Sequence, residues 1–362
     1  MSVRQPTKIK GFTYIQASEP SNPKVTETWL KPDYTVWEFL GISWQLMYKK
    51  GIIQGPGSDY GYVSGGYSGS VYLSNIDRIS FPFDSNGSIN VGTLNEIQQF
   101  SSGFNSSNYG YNTGGCNDTV ANSNISRISF PFDSGITKVI GNISTVTRNS
   151  FSGVNSSNNG YNIGGSAFLS ATYYSTISRI NFPFDSGIPN IVGTLGSAKF
   201  EGRGCNSSNH GFILGGYSSI YLLTIERITF PFDSGVATDI NGLSGSKTGS
   251  GGYNSSNYGY CVGGMNPTYT SVINRIAFPW DSGIAVISGN SSYLQYLNGS
   301  YNSSSHGYIS GGYNGSSYLS MTSKISFPFD SGLSVIISNL ATQKHSCCGI
   351  DGTDFVTQFV SF

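Results

Sequence analysis

Two charged positions recur six times in this chain. Arg78, Arg127, Arg179, Arg227, Arg275 and Lys324 hold one; Asp84, Asp133, Asp185, Asp233, Asp281 and Asp330 hold the other. A ring of carboxylates would suit calcium, which takes about six to eight oxygen ligands, or would supply the paired acids of a glycoside hydrolase. Turn chemistry competes for the same residues. Each Asp follows Phe-Pro-Phe or Phe-Pro-Trp and precedes Ser, where its side chain can accept backbone N–H bonds. An Arg at a fixed place can reach a carboxylate or carbonyl of the next unit. A site for one ligand is seldom rebuilt identically on every unit, whereas a structural solution must be. The structural reading is preferred, and neither a metal site nor a cofactor is expected.

The remaining reactive residues are sparse. His210 and His306 share a repeat position with Tyr109 and Tyr258, at a turn where exposure is expected, and His345 stands alone in a strand. No His/Cys spacing fits zinc, and no Ser or Cys stands on a glycine-flanked strand-to-helix elbow. The other acids, Glu96, Glu201, Glu226, Asp118, Asp239, Asp351 and Asp354, form no obvious pair. Cys116, Cys205, Cys261, Cys347 and Cys348 are odd in number and lack C-x-x-C spacing, so they read as small buried residues, not a disulfide frame. The sequons at Asn105, Asn155 and Asn206 read as turns, not glycan acceptors. No enzymatic activity is expected.

Composition narrows the partners. The 362 residues carry 19 Lys+Arg against 19 Asp+Glu, so no net field favours nucleic acid or an anionic membrane. Charged residues are only 10%, and Gly, Ser, Asn and Tyr replace them. The 14% aromatic content offers enough burial to offset chain entropy. Residues 1–12 contain no apolar signal core, and no apolar run approaches the ~20 residues of a membrane helix. Work outside a cell would then require another exit, such as assembly into a particle.

What positions these residues is a phrase of about fifty residues. Double glycines stand at 65–66, 114–115, 164–165, 215–216, 263–264 and 311–312, with first members 49, 50, 51, 48 and 48 apart. A period near fifty with four strand-like segments marks a propeller or related β-array. In the third unit the strands read 150–155, 160–165, 175–184 and 188–195, joined by Ser-Ser-Asn-Asn, a variable loop and Asp-Ser-Gly. The double glycines are expected where strands crowd toward the axis. Pro82, Pro131, Pro183, Pro231, Pro279 and Pro328 each remove a ladder donor and should end the third strand or mark a bulge. The flanking Phe rings share one face by the two-residue period and should fill the gap between blades. An aromatic strand ending in Gly-Gly, between a first strand and two later ones, resembles kelch repeats over about 300 residues. Phe-Pro-Phe-Asp replaces the usual later Tyr and Trp landmarks. The resemblance speaks to fold, not function.

The expected fold is an all-β propeller of four-stranded kelch-like blades. Residues 1–34 form an N-terminal attachment segment and 35–362 the propeller. Its repeats lie near 51–95, 96–146, 147–196, 197–244, 245–291 and 292–341. Gly51–Gln54 serves as the first inner strand, so residues 342–362 lack partners. Pairing them with 35–47 makes a seventh blade shared by both termini; six blades, with the ends outside the ring, is the rival count.

Pro20, Pro23, Trp29, Trp37 and Trp44 match a short motif of phage tail-fibre and other virion proteins: Pro-x-x-Pro, a Trp strand, an aromatic strand and a Ser-x-Trp strand. Thr26-Glu27 departs from the Gly-Asp usual there. The resemblance implies a virion tail protein, assembled in the host cytoplasm and attached to other tail proteins through this segment. The segments that vary most between units are the loops between the second and third strands. They carry Tyr67, Tyr72, Phe168, Tyr173, Tyr217, Tyr221, Tyr269, Tyr313 and Tyr318 among Ser and Asn. Aromatic faces beside neutral hydrogen-bonding groups suit sugar rings. The expected function is binding of a host-surface polysaccharide or receptor, without membrane insertion, and a homo-oligomer is compatible with it. A structural virion component docking other particle proteins and a cellular kelch-like adaptor are the alternatives.

Overall fold

The computed structural model describes residues 14–15, 28–30, 36–39, 44–53, 59–83, 87–143, 148–149, 152–167, 170, 172–351 and 356–361. The chain forms two compact units, Gln54–Asp354 and Met1–Ile53 with Phe355–Phe362.

The larger unit is a β-propeller of six four-stranded blades, with no helix among the described residues. Blade 2 shows the plan: strand a Ser102–Asn105, b Tyr109–Thr113, c Asn124–Ser129 and d Lys138–Asn142, antiparallel in that order. In the blades that follow, strands a are Ser152–Asn155, Arg203–Asn206, Gly251–Asn254 and Gly299–Asn302. In blade 1, strand a is Cys348–Asp351, and strands b, c and d are Tyr60–Ser64, Asn75–Ser80 and Ile89–Thr93. Each strand a packs on the next and the last on the first, closing a ring around the axis.

The count corrects the seven-bladed expectation to six. Cys348 stands opposite Ser64 and Asp351 opposite Gly61, so the C-terminal side supplies the inner strand foreseen for Gly51–Gln54. Among the described residues no unpartnered strand pair is left to found a seventh blade. Val356–Ser361 pairs instead with Tyr48–Ile53 in the second unit. Its sheet runs Tyr14–Ile15, Thr28–Leu30, Val36–Phe39, Trp44–Ile53, Val356–Ser361. There Trp29 is opposite Trp37, and Trp44 opposite Phe39; Pro20 and Pro23 lie outside the described residues.

Aromatic stacking joins the blades, as the Phe-Pro-Phe spacing predicts. The central aromatic of each strand b lies on the first Phe of the next blade's box: Tyr62 on Phe130 at 5.6 Å between centroids, Tyr111 on Phe182 at 5.2 Å, Tyr161 on Phe230 at 5.4 Å, Phe212 on Phe278 at 5.2 Å, Tyr260 on Phe327 at 5.4 Å and Tyr308 on Phe81 at 4.9 Å. Such pairs add ~0.5–1.5 kcal/mol beyond burial. The tyrosine hydroxyls also accept the N–H just past the proline: Phe132 to Tyr62 and Phe232 to Tyr161, both at 2.9 Å, and Phe329 to Tyr260 at 3.1 Å. The prolines, in cis, follow the end of strand c.

The double glycines are not at the axis, contrary to expectation. Gly65 and Gly66 have φ of 64° and 102°, and a Cβ on Gly65 would stand 2.6 Å from the Gln98 carbonyl oxygen. The end of strand b requires a left-handed turn under a neighbouring carbonyl, which only glycine accepts. The axis belongs to other glycines, in strands a. A Cβ on Gly204 would stand 2.0 Å from the Gly153 carbonyl oxygen; backbone packs on backbone.

Strands d carry exposed aliphatics. On Val286–Asn290 and Val335–Asn339 these are Val286, Ile287, Val335 and Ile336; Ile136, Val236, Ile284 and Leu333 lie two residues before their strands.

Candidate functional site

The repeated charges become links between blades. Arg78 pairs with Asp133 of the next blade, Arg127 with Asp185, Arg179 with Asp233, Arg227 with Asp281 and Arg275 with Asp330; Asp84 lies outside the described residues. Arg127 and Arg227 also donate to the carbonyls of Phe184 and Trp280 at 3.0 Å. The reach of Arg into the next blade was expected; the Asp, assigned to turns, is engaged by it. The Asp side chains are 64–71% exposed, so each pair contributes only ~0–1 kcal/mol. Among the described residues no three His, Cys, Asp or Glu gather as a metal site would require.

A second set of charges is buried between the strand d–a segments and strand c. Lys344 Nζ lies 2.8 Å from Asp77 Oδ2, and Lys199 Nζ 2.5 Å from Glu226 Oε2. Lys247 holds the same position in blade 5, but Asn274 stands where the acid should be. Its Nζ reaches only the Val272 carbonyl, at 3.3 Å, and Asn274 Oδ1 is unpartnered. Burial holds the Lys247 ammonium below the usual lysine range. Between that lowered value and 10.5 the unfolded chain binds more protons, so stability should rise with pH across this window. Asn274→Asp should raise the urea midpoint at neutral pH and flatten that rise. Urea unfolding at several pH values tests both; an unchanged midpoint refutes the assignment.

Other candidates resolve into structure. All five cysteines are free and buried, as expected. Asn105 and Asn155, expected in turns, end strands a instead and are 6% and 5% exposed, deep in the ring of inner strands. Successive strands a there bind one another: Asn155 N–H donates to Asn206 Oδ1 at 3.2 Å and Asn206 N–H to Asn254 Oδ1 at 3.0 Å. His210 and His306 are half-buried, not exposed as expected; burial and then Arg227 lower the His210 pKa. The described minor acids have structural partners. Glu201 accepts Thr248 and Tyr296 hydroxyls at 3.1 and 2.8 Å, and Asp351 the Asn302 N–H at 2.9 Å.

The variable loops do converge. Eight of the nine predicted aromatics are described, all half-buried; Phe168 lies outside the described residues. One run passes from Tyr72 to Tyr67 at 4.9 Å, to Tyr318 at 5.8 Å, to Tyr313 at 5.2 Å and to Tyr269 at 5.8 Å, joining the loops of blades 1, 6 and 5. A second joins Tyr173 to Tyr217 at 6.2 Å and Tyr217 to Tyr221 at 5.3 Å, over blades 3 and 4. Edge-to-face contacts between neighbouring loops hold both runs, so these rings brace one another and not merely their own blade edges.

Sequence reasoning missed the other half of this belt. Phe200, Tyr296 and His345 rise from the segments between strands d and a. Phe200 stacks on Tyr173 at 5.0 Å, Tyr296 meets Tyr269 at 5.9 Å, and His345 stacks on Tyr318 at 5.0 Å. All three directly follow the residue that each unit places opposite strand c (Lys199, Gln295 and Lys344), a signal visible by stacking the units on one another. His345, assigned to a strand, sits within the belt, where burial pushes its pKa down to about 4. The ring is neutral at physiological pH. The belt thus offers aromatic surface with phenol, Ser and Asn groups, and one exposed carboxylate, Asp118, which accepts the Tyr72 hydroxyl.

No model of a known family matches this chain, and no curated protein is similar to it.

Proposed function

We propose that this chain is a non-catalytic binding protein of a virion tail, whose propeller takes a host-surface glycan or glycan-bearing receptor on the face formed by the b–c loops. The aromatic belt carries the reading: two runs of half-buried tyrosines over five blades, among Ser and Asn residues, with the Asp118 carboxylate at the Tyr72 end. Such a surface combines stacking on sugar rings with uncharged hydrogen bonding, on loops held by a rigid scaffold. The kelch-like order of landmarks supports recognition by the larger unit. The Pro20, Pro23, Trp29, Trp37, Trp44 pattern supports attachment to other tail proteins by the smaller one.

Single contacts of this kind are weak, so several copies per particle would be needed. The double variant Tyr217→Ala with Tyr221→Ala, displayed as a multimer, should lose at least about tenfold of its attachment to host cells while keeping its far-UV spectrum. Retained attachment, or no attachment by the unaltered multimer to host cells or their polysaccharide, overturns the reading.

The exposed aliphatics of successive strands d favour a second reading, a structural component docking other particle proteins along its circumference. Val335→Asp with Ile336→Ser would then block incorporation into particles and spare attachment.

A further inference from the structure

The inner strands line a partly open cavity of ≈ 70 Å³ on the axis, formed by the first halves of strands a and the residues before them. That is room for about five to seven water molecules at roughly 10–15 Å³ each, or for one oxyanion. Arg203 is the only charged residue in its wall, among Ser101, Ser102, Asn298, Ser300 and the thiols of Cys347 and Cys348. Arg203 Nε donates to the Ser250 carbonyl at 2.6 Å, which orients the guanidinium fork. Among the described residues no carboxylate forms an ion pair with it. The acid nearest in sequence, Glu201, accepts the Thr248 and Tyr296 hydroxyls; burial raises its pKa, and the Arg203 charge nearby lowers it.

Asn298 is the second observation. Its side chain is 1% exposed, it lines the cavity, and neither Nδ2 nor Oδ1 has a hydrogen-bond partner. Leaving a buried amide without a partner is unfavourable, so its Nδ2 donor, in the same wall as a guanidinium with no ion pair, points to a ligand that accepts from both. At the inner edge the Gly252 N–H turns away from its own blade and is taken by the Ser300 hydroxyl at 3.1 Å; Gly153 and Gly204 hold the same register position. A planar guanidinium fork suits two oxygens of one anion.

We propose that the axial cavity is a binding site for a small oxyanion, a carboxylate, sulfate or phosphate group, held by the Arg203 guanidinium and the Asn298 amide. The site is separate from the aromatic belt and does not depend on the function proposed for it. Calorimetric titration at constant ionic strength tests it with sulfate, acetate, glucuronate and, as the uncharged control, glucose. Saturable one-to-one binding of at least one anion is expected, with no heat from glucose. Arg203→Gln and Asn298→Asp should each weaken it at least tenfold, and the Tyr217/Tyr221 double variant should leave it unchanged. Glucuronate binding tenfold tighter than acetate assigns the site to the acidic group of a saccharide; equal affinities assign it to a free anion. Should Arg203→Gln fail to fold, Asn298→Asp, which keeps the side chain's shape and adds a repelling charge, decides alone. No saturable anion binding by the unaltered protein, or equal binding by Asn298→Asp, overturns the proposal.

Discussion

A chain ending at Ser346 is expected to lose its cooperative unfolding transition, while one ending at Asp354 keeps it. The difference is strand Cys348–Asp351, the inner strand of blade 1. It is the only link in the inner ring that comes from the far end of the propeller's sequence. Its removal strips Cys348 and Ile350 from the cluster they form with Tyr62, Ile76 and Phe130. It also bares strand Tyr60–Ser64 along its length and opens the ring between Gly299–Asn302 and Ser102–Asn105. Burial of each apolar side chain is worth ~1.5–3 kcal/mol, and the exposed edge invites association with other chains. Together these reach a large share of the ~5–15 kcal/mol by which domains are stable. Val356–Ser361 pairs within the other unit, so loss of the chain beyond Asp354 leaves the propeller ring closed. Thermal melts followed by far-UV circular dichroism, with size-exclusion profiles, compare the two truncations. Equal melting temperatures would refute closure by Cys348–Asp351.

Lys344→Ala should cost ~3–5 kcal/mol, the range for removing one partner of a buried pair. Lys344 and Asp77 are both 0% exposed, 2.8 Å apart, and Lys344 Nζ also donates to Asn75 Oδ1 at 3.0 Å. Without the ammonium, Asp77 is left as an uncompensated charge in the packed wall of blade 1. The penalty comes from that stranded charge, not from the net worth of the pair. Lys344→Met combined with Asp77→Leu should therefore be far milder than Lys344→Ala, since replacing both partners by apolar groups is often neutral. Urea midpoints of the single and double variants decide the matter. A single-variant loss below ~1 kcal/mol, the ordinary surface-pair range, would show that water reaches Asp77.

The repeat by itself determined much of this protein. Six double glycines at near-equal spacing force one blade plan on every unit, because a repeated local pattern meets a repeated local environment. Alternation along Phe81-Pro82-Phe83 and its copies placed the rings between blades for the same reason. The free, buried cysteines and the clustering of the variable loops were legible too, since loop position follows from strand order. Tertiary structure alone decided the rest. Cys348-Gly349-Ile350-Asp351 has the local features of an inner strand whichever blade it joins, and only its pairing with Gly61–Ser64, far away in sequence, reduces seven blades to six. The double glycines and the axial glycines are the same residue type, and their roles separate only when φ and the facing carbonyl are known. Lys344 finds Asp77, His345 enters the belt, and Arg203 and Asn298 line one cavity because closing a ring brings together residues from different blades. Side-chain period describes one strand and its two faces; it carries no information about which distant strand, or which charge, stands opposite.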